Sequence, residues 1–140
     1  MNTLHFARFT VAYWCVLVAA LLPIVCAGIA KYGMFNKPRR EGGYDNHHPR
    51  QWLARQTDWR ARANAAQANS FEGLPFFIGA VVIAHQLGAA QTLLDILAFV
   101  YVLLRLLYIM MYVGGLPTAR SAVWVAGLVV NVAILFAGYR

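Results

Sequence analysis

Three groups of side chains in this sequence have the types and spacing for chemistry. Residues 60–77, RARANAAQANSFEGLPFF, carry Arg60, Arg62, Asn64, Gln67, Asn69 and Glu72. Further on, Arg105, Tyr108 and Tyr112 stand at i, i+3 and i+7, one face of a helix. Arg120 and Ser121 follow a Gly-Gly-Leu-Pro break. Arginines fork onto carboxylates, amides and phenols hydrogen-bond neutral polar groups, and an arginine beside a thiol favours the reactive thiolate.

These groups lie in a membrane chain. Of the 140 residues 61% are hydrophobic and 12% charged, and the mean hydropathy is +0.56. The spacing predicts four membrane-spanning helices at roughly residues 9–31, 60–87, 92–113 and 119–139, an all-α up-down bundle in one domain. The first span holds twenty-two residues without a charge, 9–30, too long for a secretory h-region, so it reads as a retained span that ends at Lys31. Pro23 and Pro75 are expected to bend spans one and two locally. Residues 1–8, with His5 and Arg8, form a short terminus.

The net charge of +7 does not point to nucleic acid, because eight of the twelve basic residues lie from Lys31 to Arg62, between the first two apolar segments. That bias puts the long loop, 32–58, in the cytoplasm and both termini opposite. In the loop, His47 and His48 lack further ligands at metal-binding spacing, and no metal site is read there. Cys15 and Cys26 fall ~16 Å apart along one helix, cannot pair within it, and read as small core residues.

Polar and ionisable groups at membrane depth are costly and face a bundle interior or a cavity. At about 100° per residue, Arg60, Asn64 and Gln67 cluster on one face of span two, and Arg62, Asn69 and Glu72 on nearly the opposite one. A helix polar on two faces suits the centre of an oligomer, and Ala63, Ala65, Ala66, Ala68, Ser70 and Gly73 between them permit close helix approach. Such residues also serve as structural hydrogen bonds that weld a bundle. Arg105, close to the middle of span three, needs a carboxylate, and Glu72 is the natural candidate because Asp95 lies at the far end, where it suits the dipole of its own helix. Thr118 is the expected N-cap of span four.

In this topology Arg60, Arg62, Asn69, Glu72, Tyr112 and Arg120 gather at the cytoplasmic end as one pocket. It suits a small, acidic, peptide-like ligand. Glutathione fits that description, and a phospholipid headgroup fits it almost as well.

The chain resembles the MAPEG family, membrane-associated proteins in eicosanoid and glutathione metabolism. The resemblance covers essentially the whole length and rests on three motifs. They are residues 67–72, QANSFE, followed at once by GLPF; Arg105-x-x-Tyr108-x-x-x-Tyr112; and Arg120-Ser121 opening span four. Residues 45–50, DNHHPR, look like the bacterial branch, which implies a bacterial inner membrane. The resemblance implies a homotrimer with glutathione bound between neighbours. Asn69, Glu72, Tyr108, Tyr112 and Arg120 would line one subunit's part of the site and Gln67 the adjoining subunit's; Arg105, on the same face as Tyr108 and Tyr112, is a further candidate. Arg120 matches the arginine held to stabilise the thiolate, and Ser121 a serine proposed to assist in the prostaglandin E synthase branch. Glutathione-handling members have an arginine four residues before the matching asparagine, where this chain has Ala65; Arg62, one turn earlier, is the candidate substitute.

Two functions follow as expectations. One is a glutathione-dependent transferase or peroxidase acting on lipophilic electrophiles that enter from the membrane lipid. The other is a non-catalytic lipid-binding or scaffold protein of the same fold. A transporter fits less well, because no polar line crosses the whole membrane.

Overall fold

The computed structural model describes residues 9–140, so the expectation for the terminus with His5 and Arg8 lies outside the described residues. Four long helices form: α1 (Val11–Lys31), α3 (Asp58–Gln86), α4 (Gln91–Val113) and α5 (Pro117–Phe136). Each is long and apolar enough to cross a membrane. At ~1.5 Å per residue a helix of about 20 residues matches the ~30 Å hydrocarbon layer. The 29 residues of α3 exceed that length, and its polar first turns extend beyond the apolar zone. Both α1 and α3 run unbroken through Pro23 and Pro75.

The helices pack as a rhombus. Central α3 and α4 touch each other, and α1 and α5 each touch both of them from opposite sides. Buried alanines on α1, α3 and α4 (Ala12, Ala19, Ala66, Ala80, Ala84 and Ala98) bring the backbones close. The interior forms two apolar clusters. Phe77, Val81, Leu94, Val102 and Ile134 belong to the one nearer the short α3–α4 turn, and Leu22, Cys26, Ala66, Tyr108 and Ile109 make up the other. A polar layer containing Asn69, Ser70 and Arg105 lies between them along α3 and α4. Large apolar side chains cover the outside, including Leu21, Ile24, Phe99, Leu106, Val129 and Val132, a surface that only lipid or another copy satisfies.

Cross-helix polar contacts fix the ends. Thr10 caps α1, its Oγ1 accepting from Tyr13 N at 3.3 Å. Asp95, expected to serve the dipole of its own helix, accepts instead from Ala12 N in the first turn of α1 at 2.9 Å and from Gln91 Nε2 at 2.7 Å. At the other end, Arg60 Nη1 donates to Ala30 O at 2.9 Å and Arg62 Nε to Val113 O at 3.0 Å, where cations meet the negative ends of α1 and α4. Two opposite polar directions on α3 therefore have partners within one subunit, α1 on one side and α4 on the other.

One local expectation is corrected. Leu116, not Thr118, occupies the N-cap position of α5, and no side chain caps it. Pro117 opens the helix because its φ is preset and its missing N–H would have been unpaired there. Gly115 before it takes φ +74°, the left-handed conformation that lets the chain reverse. The loop is also structured, with a 3-10 turn (Arg39–Glu41) and a short helix, α2 (Pro49–Ala54). Trp52 of α2 is buried, donates Nε1 to Gly42 O at 3.2 Å, and meets the Tyr44 ring edge-on.

Candidate functional site

The residues of α4 and α5 that face α3 follow one spacing. Tyr101, Arg105, Tyr108 and Tyr112 on α4, and Arg120, Trp124, Gly127 and Asn131 on α5, both step by four, three and four residues, which keeps each set on one helix face. Facing them, α3 contributes Asn69, Glu72, Gly73 and Phe76. Two recesses result. The deep one, about 300 Å³, is lined by Glu72, Tyr101, Arg105, Trp124 and Asn131 among others. The outer one, about 270 Å³, is lined by Tyr112, Arg120 and Ser121. Asn69, Tyr108 and Trp124 line both, so the two recesses join into one groove.

Arg105 is 6% exposed, and its neighbours correct the sequence expectation. Its Nη1 donates to Asn69 Oδ1 at 3.0 Å and its Nη2 to Ser70 Oγ at 3.1 Å, and its Cζ lies 4.3 Å from the Tyr108 ring centroid. Among the described residues the ion pairs are those of Asp45, with Arg39 at 3.6 Å and His48 at 3.2 Å; Glu72 is in neither. Asn69 and Ser70, three and two residues before Glu72 on α3, each take one N–H of the guanidinium and leave its others free, and Glu72 is on an exposed side of the helix. Neutral dipoles and a π face thus hold the Arg105 charge, leaving it able to draw an anion into the groove.

Arg120 is half-buried in the first turn of α5, its Cζ 4.2 Å over the Tyr112 ring. The Tyr112 and Tyr108 rings meet edge to face at 5.7 Å, so the two arginines and two tyrosines form one stacked series along the groove. Ser121 is exposed, and its Oγ donates to Pro117 O at 3.0 Å. Arg62 lies at the C-terminus of α4 against Gly115, and Gln67 on a half-buried side of α3; neither lines the two recesses. The groove thus assembles Asn69, Glu72, Arg105, Tyr108, Tyr112, Arg120 and Ser121 from one subunit, while Arg62 and Gln67 stand apart.

Residues 11–139, nearly the whole chain, match the model of the MAPEG family. The chain belongs to the MAPEG family. No individual curated protein and no solved structure matches it. Members of the MAPEG family generally use glutathione as substrate or cofactor. With four spanning helices, this MAPEG chain is an integral, multi-pass membrane protein of a family at work in glutathione and eicosanoid metabolism.

Tyr101, Trp124 and Asn131 were missed in the sequence. Asn131 is the sole amide in residues 122–138, an anomaly of the kind that singled out span two. Tyr101 completes the α4 spacing four residues before Arg105, and Trp124 has no signal in the sequence that separates it from an ordinary lipid-facing aromatic residue.

Proposed function

We propose that this MAPEG protein is a glutathione-dependent transferase or peroxidase acting on lipophilic electrophiles. The observation that carries the proposal is the pair Arg105 and Arg120, two cations on one groove with no carboxylate partner among the described residues. Glu72 lines the same recess without forming an ion pair, so an acidic tripeptide would supply the directly paired carboxylates, and Asn69, Tyr108 and Tyr112 would surround it with hydrogen-bonding groups. Bound there, glutathione contributes a sulfur nucleophile. Arg120, outermost in the stacked series and fixed over Tyr112, is the residue assigned to favour the thiolate over the thiol. Arg105, deeper and held by Asn69 and Ser70, is assigned to a carboxylate. The apolar walls of the deep recess, Phe76, Leu104, Val123 and Leu128, admit the electrophile.

The protein acts as a homotrimer in this proposal, with the long loop in the cytoplasm of a bacterial cell. Glu72 supports the oligomer: it is exposed midway along α3, at a depth where lipid does not tolerate a carboxylate, and so requires a partner from a neighbouring copy. A neighbour would also bring its Gln67 to the groove, and Arg62 would stand in for the arginine that Ala65 replaces.

Two hydrogen bonds favour the non-catalytic lipid-binding alternative. Ser121 has already committed its hydroxyl proton to Pro117 O, and Arg62 its Nε to Val113 O, which leaves fewer free donors for a peptide. Conjugation of glutathione to an aryl halide separates the two functions. The sulfur bonds to the ring carbon, the halide departs with the bonding electron pair, and the thiol proton goes to solvent. Turnover by the purified protein that is lost in Arg120→Ala supports the transferase; ligand binding without turnover supports the alternative.

A further inference from the structure

The deep end of the groove holds a polar group that the proposed function does not use. Asn131 is 4% exposed, and its Oδ1 has no hydrogen-bond partner. It lines the deep recess together with Tyr101, also 4% exposed, whose hydroxyl is within hydrogen-bonding reach of the Asn131 side chain but does not satisfy its Oδ1. The Tyr101 ring stacks on Phe77 at 4.3 Å, and a Cβ on Gly73 would stand 3.2 Å from the Tyr101 oxygen. Glycine at that position therefore leaves the hydroxyl its place, and the stacked ring holds it there.

Depth sharpens the meaning of the unmet oxygen. Asn131 lies eleven residues beyond Arg120 on one helix, ~16 Å deeper by helical rise and so about half the hydrocarbon thickness. Tyr101 sits at the middle of α4. An amide acceptor near the midplane has no bulk water to satisfy it and is costly to leave unpaired. The group that satisfies it must donate a hydrogen bond and be neutral, since a charge at that depth is more costly still. Phe76, Leu104, Val123 and Leu128 give the recess apolar walls, while Asn69, Glu72, Arg105 and Tyr108 line the rest of it.

We infer that Asn131 and Tyr101 form a mid-membrane subsite for a neutral hydroxyl group carried on an apolar skeleton, with the O–H donating to Asn131 Oδ1. The subsite is a specificity element of the groove and requires neither glutathione nor turnover. The same chemistry could reach it from two sources, a hydroxylated acyl chain entering from the bilayer or a small phenol partitioning in from water.

Both are tested on the purified full-length protein in detergent with glutathione omitted, so failure here is distinct from failure of the transferase proposal. Binding is read as the concentration dependence of the melting temperature for two matched pairs. The pairs are a fatty acid methyl ester with a mid-chain hydroxyl against its unsubstituted counterpart, and an alkylphenol against the corresponding alkylbenzene. The expected result is a preference of about tenfold for the hydroxylated member of at least one pair, the worth of one neutral hydrogen bond. Preference within the ester pair identifies an acyl chain as the source, and within the phenol pair a small molecule. Asn131→Leu and Tyr101→Phe should lower that preference towards unity while the unsubstituted compounds still bind. Equal binding of both members in both pairs by the parent protein overturns the inference, as does a preference that survives Asn131→Leu; a resident water or the Tyr101 hydroxyl would then be what satisfies the amide. The parent comparison needs no variant, so the test stands even if Asn131→Leu fails to fold.

Discussion

Arg105 shows how a membrane-buried charge is met without a counter-charge. Its forked donors reach Asn69 and Ser70 and its face rests on Tyr108, so the stability it confers depends on neutral neighbours. Asn69→Ala is expected to cost about 1.5–3 kcal/mol, the range for a hydrogen bond to a charged group, and to melt earlier than Glu72→Gln. Thermal melts of the two variants side by side check this; a larger loss in Glu72→Gln would mean that the carboxylate, not the amide, supports the arginine. The sequence marks Arg105 as needing a partner, but charge matching alone selects Glu72. The choice between Glu72 and Asn69 depends on which side of α3 faces α4, and an α-helix polar on two faces does not declare that in its spacing. Asn131 illustrates the converse, a polar residue alone in an apolar run whose significance emerges only when Tyr101 of α4 is seen beside it.

At the scale of elements, the four long helices were legible because the bilayer imposes a length and a composition that few other structures share. α2 was not. Six residues carry too little periodicity to stand out, and α2 is held by Trp52 reaching Gly42 and Tyr44, contacts made by the loop's tertiary fold. The loop also depends on Asp45. Partial burial acts to raise its pKa, but the His47 N–H, His48 and Arg39 outweigh that and hold it below the usual carboxylate range. A depressed folded-state pKa means that the contribution is present above the unfolded value and lost as pH falls through the folded one. Proteolysis of the loop between Lys31 and Asp58 should therefore accelerate as the pH drops below the ordinary aspartate range. Asp45→Asn should cleave faster at neutral pH and lose most of that acid dependence, as peptide mapping would record. If parent and variant respond alike to acid, another group orders the loop.

For the whole molecule, the surface sets the strongest demand. A rhombic bundle with apolar side chains over its outside and Glu72 exposed midway along α3 satisfies its apolar surface in lipid but not that carboxylate. In the proposed trimer each Glu72 would gain a neighbour. Native mass spectrometry from mild detergent is expected to give three copies, and Glu72→Leu to shift the distribution, because the group that forces association has gone. A monomeric parent protein would remove the neighbour from the proposed site and leave the groove to act within one subunit. The oligomer cannot be read from one chain's spacing: the two polar faces that raised the possibility in α3 serve, through Arg60 and Arg62, to close the ends of α1 and α4 in the same subunit. The central claim, that two arginines without carboxylate partners make this groove a glutathione site, is tested most directly by titrating glutathione into the purified protein and recording thiolate absorbance in the ultraviolet. The expected result is a saturable thiolate signal at neutral pH, accompanied by a rising melting temperature. Arg120→Ala should abolish the signal while preserving much of the thermal shift, and Arg120→Lys should fall between. No absorbance change and no thermal shift at millimolar glutathione would contradict it.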